Sequence, residues 1–234
     1  RMTPAVLYDQ LIGMGCVARM IFSYAGNPGV GLLRRLRDSL ENDWPHRIEI
    51  VEHSHAALAH AYEAGASRLP FAVLRGYVGT DFAAVNPEIR SVTCPFTGEE
   101  LAAVPAINPD ITFIHALKAD RAGNVLIEGI TGVQKEAVLA AGKAVVTVEE
   151  TVDSLDPHPN ALVLPHWVVT AIAEVPGGAH PSYAHGYYPR DNAAYKAWDA
   201  IAADRTRFLD WMKTHVIDVD AHVFAARVAK LTDG

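Results

Sequence analysis

The residues of this chain that could do chemistry gather in loops that directly follow short apolar runs. Behind Ile48 to Val51 comes Glu52-His53-Ser54-His55. If the strand persists, His53 and His55 point the same way, and two histidines so placed can begin a metal site, with His115, His180 and His185 as further imidazoles. Against this, Ser54 is placed to cap a helix of small residues from Ala56 to Gly65, which makes the pair a polar helix entrance or a hydrogen-bonding contact for substrate. No metal is expected on that reading, and His55 remains an imidazole able to accept a proton or donate a hydrogen bond. Behind Val17 to Tyr24, the turn Ala25-Gly26-Asn27-Pro28-Gly29-Val30-Gly31 exposes backbone N–H groups just ahead of a helix. Such a turn can cradle an anion or a developing oxyanion, and taken alone it is equally a structural turn. Its glycine spacing is not that of a dinucleotide-binding loop. Behind Phe71 to Leu74, Arg75-Gly76-Tyr77-Val78-Gly79-Thr80-Asp81 offers a cation, a phenol and a hydroxyl that could orient a carboxylate or wrap a thioester; Arg75 could equally be a surface charge. The turn Val175 to Ser182 carries His180 and reads locally as a solvated loop.

These loops need elements to hold them. Ile111, Phe113, Ile114, Ala116 and Leu117 make a nearly continuous apolar run, as in a strand covered on both faces, and Asp120 to Asn124 supply turn chemistry with Gly123 free to take φ > 0. A second strand, Val125 to Ile127, follows at once. Thr3-Pro4 opens a helix with Leu7, Leu11 and Met14 on one face, ended by Gly13 or Gly15. Leu33, Leu36 and Leu40 stripe another, with Arg34, Arg35, Arg37 and Asp38 on its other face, before Ile48 and Ile50 alternate in a strand. Val133 to Ala141 reads as helix, and Ala144 to Val148, Ala161 to Leu164 and Val168 to Val175 as strands. From Asp191 the chain is helical, with Tyr195, Trp198, Ile201, Phe208 and Met212 as a packing stripe and a last helix marked by Val223, Phe224, Val228 and Leu231. The alternation argues for an α/β fold with a mainly parallel sheet and helices on both faces.

Half of the 234 residues are hydrophobic and 20% charged, which fits one globular domain, residues 1–234, with a helical tail from about 190. The net charge of -7 gives no basic footprint for nucleic acid or an anionic membrane. No apolar run approaches the roughly 18 residues of a membrane span. Cys16 and Cys94 have neither metal-ligand nor redox spacing, as in a reduced cytoplasmic protein. Arg1 falls inside a helix-start pattern without an initiator Met, so an incomplete N-terminus is expected.

In order along the chain, Ser23 to Gly31, Glu52 to Leu58, Ala64-Gly65 with Leu69-Pro70-Phe71, Gly79-Thr80-Asp81, His115 to Asn124 and Pro176-Gly177-Gly178-Ala179-His180-Pro181 follow the pattern of the α-type chain of glutaconate-CoA-transferase-like enzymes. From residue 3 to about 190 the chain thus resembles the α-type subunit of family I coenzyme A transferases. The resemblance implies a three-layer α/β/α fold of the NagB/RpiA/CoA-transferase type and, as partner, a homologous β subunit, commonly in a heterotetramer. It implies an acyl-CoA and a carboxylic acid as substrates, with coenzyme A entering as a thioester and no cofactor permanently bound. In such enzymes the nucleophilic glutamate lies on the β subunit, where it forms an acyl anhydride and then a glutamyl-CoA thioester. This chain would line the acyl pocket, with His55 in an auxiliary catalytic role and Gly26, Asn27, Gly29, Ser54, Arg75, Gly79 and Thr80 touching substrate. His55 stands where related α subunits place Gln or Glu, and where similar steroid-ring-opening CoA hydrolases carry an acidic residue; the imidazole puts the hydrolase reading in doubt. The family's first glycine-rich strand and loop would precede Arg1. A CoA-dependent hydrolase or ring-opening subunit, and a non-catalytic subunit on the same fold, stay open as alternatives.

Overall fold

Local signals set most element boundaries in the computed structural model, which describes residues 5–27 and 29–220. Packing groups the chain into two units, one from Arg1–His53 and Ala179–Gly234, the other from Ser54–Gly178.

In the first unit, α1 (Val6–Gly13) leads to β1 (Arg19–Phe22), α2 (Arg34–Asn42) and β2 (Glu49–Glu52). β1 and β2 pair in parallel, from Arg19 opposite Glu49 to Phe22 opposite Glu52. Ile12, Met20, Phe22, Leu33, Leu36 and Ile48 form a core beside them. The expected Thr3-Pro4 start lies outside the described residues, and the residue capping α1 is Ala5, without a side-chain bond. Two expectations need correction. Ile50 is 44% exposed while Val51 is buried, because β2 begins only at Glu49 and the alternation is shifted by one residue. Arg35 and Asp38, expected on the solvent face of α2, are 3% and 8% exposed. Their burial follows from their pairing with each other and from the pairing of Asp38 with Arg205, while Trp44 and Phe208 cover the Arg35 guanidinium.

The second unit runs α3 (His55–Ala66), β3 (Phe71–Leu74), α4 (Phe82–Val85), β4 (Arg90–Thr93), β5 (Glu100–Pro105), β6 (Ile111–Asp120), β7 (Val125–Ile127), α5 (Gln134–Ala140), β8 (Lys143–Val152), β9 (Leu162–Leu164) and β10 (Ala171–Glu174). One sheet has the order β10-β8-β6-β7-β9, the other β3-β5-β4. The α/β class holds, but the sheets are mixed where a mainly parallel one was expected. β6, β8 and β10 are parallel, as the helical crossover through α5 allows. β7 runs antiparallel to β6 and β9, and β5 antiparallel to β3 and β4, because turns as short as Arg121 to Asn124 reverse the chain. The periodicity did not point to β4 and β5: Arg90 to Pro105 holds charges, prolines and alanines instead of a β-branched alternation. Their hairpin is closed by the Cys94 N–H donating to the Glu99 carbonyl at 2.8 Å. Ala116, Val125, Val146, Val148 and Leu164 fill the core of the larger sheet.

The chain then returns to the first unit as α6 (Asn192–Ala202) and α7 (Arg205–Met212). Asp191 and Asp204 cap them, each carboxylate accepting a backbone N–H at 2.8 Å, from Ala194 and Arg207. Asp204 divides the expected aromatic stripe between two helices, yet Tyr195, Trp198, Phe208 and Met212 still pack in one cluster with Val6 and Val30. The expected last helix lies outside the described residues.

Candidate functional site

In the second unit, the start of α3 and the loop after β3 are tied together by a single phenol. Ser54 has extended backbone and its hydroxyl accepts the Ala57 N–H at 3.2 Å, the cap expected from the sequence. Its own N–H donates to the Tyr77 hydroxyl at 2.6 Å. Tyr77 is buried and stacked on Phe82, ring centroids 5.2 Å apart, and its carbonyl accepts the Thr80 hydroxyl at 2.9 Å. Tyr77 thus links the Ser54 cap, through its hydroxyl, to the loop that carries Gly79 (φ +76°) and Thr80, through its backbone. His55 is the first residue of α3, exposed, and its ring makes no hydrogen bond to any described residue. An unpaired imidazole at a helix N-terminus has its donor and acceptor available, in the positive field of the helix end. β2 has ended at Glu52 and α3 begins at His55, so the extended H-x-H geometry is not formed. Among the described residues no group of three or more His, Cys, Asp or Glu is placed to hold a metal ion.

Arg75 does not reach toward this corner. Its guanidinium grips Glu99 through two bonds of 2.6 and 2.8 Å, which raise the arginine and hold the Glu99 carboxyl below its usual range. The carboxylate it orients belongs to the β4–β5 turn of the sheet that also holds β3.

In the first unit, the loop after β1 is closed on itself. The Asn27 carbonyl accepts the Val30 N–H at 3.1 Å, Asn27 and Gly31 form a bridge, and Leu32 N–H donates to the Asp199 carboxylate at 3.0 Å. Gly26 is half-buried and Gly29 exposed with φ +75°. Asn27 is 4% exposed, and its amide nitrogen has no hydrogen-bond partner among the described residues. Leaving such a donor unsatisfied costs about 1–3 kcal/mol, a cost removed when a substrate oxygen arrives.

The strand-turn signature of residues 111 to 124 is scaffold. Asp120 accepts the Asn124 side-chain and backbone N–H groups at 2.8 and 2.9 Å, which keep its carboxyl below the usual range, while Asn124 Oδ1 accepts the His166 N–H at 3.0 Å. His115 faces Thr147 and Glu149, next-but-one neighbours on one face of β8, at 2.8 and 2.7 Å. The other Glu149 oxygen accepts the Gly177 N–H at 2.6 Å. A Cβ at Gly178 would lie 2.7 Å from the His115 ring, so the glycine pair lets the loop after β10 close over the imidazole. The sequence marked both ends of this network but not Glu149, and it offered the Tyr77 phenol as a substrate contact, not as the partner of the Ser54 N–H; both roles depend on strand register and loop closure.

The α-type chain of a coenzyme A transferase has the features now assembled: an α/β body, glycine turns behind its strands and a polar helix start. The chain belongs to the coenzyme A transferase family, whose Coenzyme A transferase model matches residues 6–175. It is 58% identical over 231 residues to the A-type subunit of the 3-oxoadipate CoA-transferase of Pseudomonas knackmussii, covering 98% of this chain and 82% of that protein. It matches the crystal structure of glutaconate coenzyme A-transferase from Acidaminococcus fermentans with a TM-score of 0.86 at 27% identity, covering 94% of this chain and 75% of the other. The cholesterol ring-cleaving hydrolase IpdA subunit of Mycobacterium tuberculosis is 30% identical over 192 residues, 76% of this chain and 65% of that protein. The expected α-type character and CoA-transferase fold therefore hold, and identity favours transferase over hydrolase. No helix among the described residues is long and apolar enough to cross a membrane.

Proposed function

We propose that this chain is the α subunit of a heteromeric, cytoplasmic enzyme that moves coenzyme A between an acyl-CoA and a carboxylic acid of the 3-oxoadipate type. Its partner is a homologous β subunit carrying the nucleophilic glutamate, two of each forming a heterotetramer. The observation that carries the reading is the 58% identity to the A-type subunit of a 3-oxoadipate CoA-transferase over nearly the whole chain. The partner's carboxylate attacks the thioester carbonyl, the C–S bond breaks and the thiolate leaves an acyl anhydride. The thiolate then attacks the glutamyl carbonyl, releasing the first acid and leaving glutamyl-CoA, and the acceptor acid reverses the sequence. Each addition places negative charge on a carbonyl oxygen. The unpaired Asn27 amide and the N–H groups of the Gly26 and Gly29 turn supply donors for that charge, and His55, Ser54, Gly79 and Thr80 supply polar contacts to substrate. Glu149, its two oxygens held by His115 and Gly177, is not free to act as nucleophile, in keeping with a nucleophile on the partner.

The test is co-purification with its β-type subunit, followed by assay of CoA transfer from a panel of short acyl-CoAs to 3-oxoadipate. Transfer by the pair and by neither protein alone is expected. Release of free CoA at an equal rate without an acceptor acid would replace the transferase reading with a hydrolase, and no reaction of either kind would leave the non-catalytic alternative.

A further inference from the structure

At the end of α3 away from His55, the second unit holds a concavity of about 500 Å³ whose lining includes Arg68, Asn108, Asp110 and Lys143. α3 is 12 residues long, so about 18 Å of helix separates this end from the start that carries Ser54 and His55. The walls are firmly joined. β6 and β8 begin side by side, Ile111 opposite Lys143, and the Gly142 and Lys143 N–H groups donate to the Pro109 and Asp110 carbonyls at 2.8 and 3.0 Å. α3 lies so close to the loop before β6 that a Cβ at Gly65 would stand 2.1 Å from the Ile107 carbonyl oxygen. Arg68 is fixed just past the helix, its own N–H donating to the Gly65 carbonyl at 3.1 Å and the Leu69 N–H to the Ala64 carbonyl at 2.9 Å. Its φ of +58° is one that glycine adopts freely and a long side chain does not. The other described non-glycine residue with positive φ is Asp43, of a type that tolerates this region.

We propose that this concavity binds a small organic acid with a hydroxyl or an ammonium beside its carboxylate, at a place remote from Ser54 and His55. Two cations and a carboxylate line one space, yet the side chains of Arg68, Lys143 and Asp110 make no ion pair or hydrogen bond with any described residue. Arg34, Arg35, Arg75 and Arg205, by contrast, each grip a carboxylate of the chain. Charges of both signs held apart on a rigid frame suit a ligand that carries both an anionic and a donating group. The ligand carboxylate accepts from the Arg68 fork and the Lys143 ammonium, and its neighbouring donor meets the Asp110 carboxylate, with the Asn108 amide able to serve either. The backbone at Arg68 decides against a merely solvated charge. A glycine there would carry the positive φ without strain, so arginine is kept at a conformational cost, and residues held in such a region gather at binding and switch sites. The volume falls within the roughly 300–1,000 Å³ of small-molecule sites.

The experiment is calorimetry on the enzyme assembled with its β subunit, with L-malate and L-aspartate as the hydroxyl and ammonium probes and succinate, which lacks the donor, as the comparison. At least one donor-bearing acid is expected to bind about tenfold or more tightly than succinate. Binding of malate alone identifies a hydroxy acid as the ligand, and of aspartate alone an amino acid. Arg68→Gly should weaken that binding about tenfold or more while the unfolding midpoint stays the same or rises, because glycine suits the backbone at this position. Lys143→Gln should weaken it about tenfold through loss of one charge, and Asp110→Asn should erase most of the preference over succinate. Because binding is read directly, the result does not depend on which reaction the enzyme performs. No binding of either donor-bearing acid by the unaltered enzyme, binding by Arg68→Gly within twofold of it, or succinate bound as tightly as both other acids overturns the proposal.

Discussion

Asn27 and His55 both have hydrogen-bonding capacity that no described residue uses, and they behave differently on substitution. Because the Asn27 amide nitrogen is buried without a partner, Asn27→Leu removes an unsatisfied donor and inserts an apolar group of similar shape. Denaturant unfolding should therefore show stability unchanged or slightly raised, while kcat of the assembled enzyme drops by about a hundredfold, the usual loss for one oxyanion donor. A marked loss of stability would mean that Asn27 is an ordinary packing residue. His55 is exposed, so His55→Ala should leave unfolding untouched. Its expected effect is a fall in kcat of about tenfold to a hundredfold, with His55→Gln retaining most of the activity if hydrogen bonding outweighs proton transfer. Full activity of His55→Ala in the pair would remove the residue from the site.

At the scale of elements, polar side chains fix how helices and loops meet. Asp9 of α1 is fully buried: one oxygen accepts the Arg35 and Leu36 N–H groups at 2.8 and 2.9 Å, the other the Trp198 indole N–H at 3.0 Å. One carboxylate thus joins α1, α2 and α6. Burial pushes its pKa up, although all three donors pull it down. Asp9→Asn turns an NH₂ toward one of these donors and should lower unfolding stability by about 1–3 kcal/mol, with a change in Trp198 fluorescence. Over the loop after β10, Gly178→Ala drives a methyl group into an imidazole that Thr147 and Glu149 hold in place. A loss of about 1–3 kcal/mol is expected, and a smaller one when the same change is made in a His115→Ala background. Equal losses in both backgrounds would show that the ring is not the obstacle.

At the scale of the whole molecule, carboxylates govern the response to acid. Asp38 is held below its usual range chiefly by Arg205, Asp199 chiefly by Arg34, and Asp191 by the Ala194 N–H and then His180. A carboxyl whose folded pKa is depressed binds fewer protons than in the unfolded chain, so its stabilisation is present above about pH 4 and is lost as pH falls below it. Asp9, raised, acts in the opposite sense, its contribution fading as pH climbs from about 4 through its folded value. Glu99, Glu100 and Asp120 are depressed as well. With six such groups against one, urea midpoints should fall between pH 5 and pH 3, and Asp38→Asn should be less stable at neutral pH yet lose less on acidification, to about the extent linkage requires. By itself the sequence determined the family, the α/β class, the Ser54 cap of α3, the Asp120 to Asn124 turn and the aromatic stripe, because caps, positive-φ glycines and apolar periodicity act over a few neighbouring residues. Only the tertiary structure decided that Arg75 grips Glu99, that Tyr77 holds Ser54, that Glu149 lies under His115, that α2 buries Arg35 and Asp38, and that the Asn27 amide is left without a partner. The partner of a polar side chain is fixed by strand register and loop closure between residues far apart in the chain, and local preferences do not encode it.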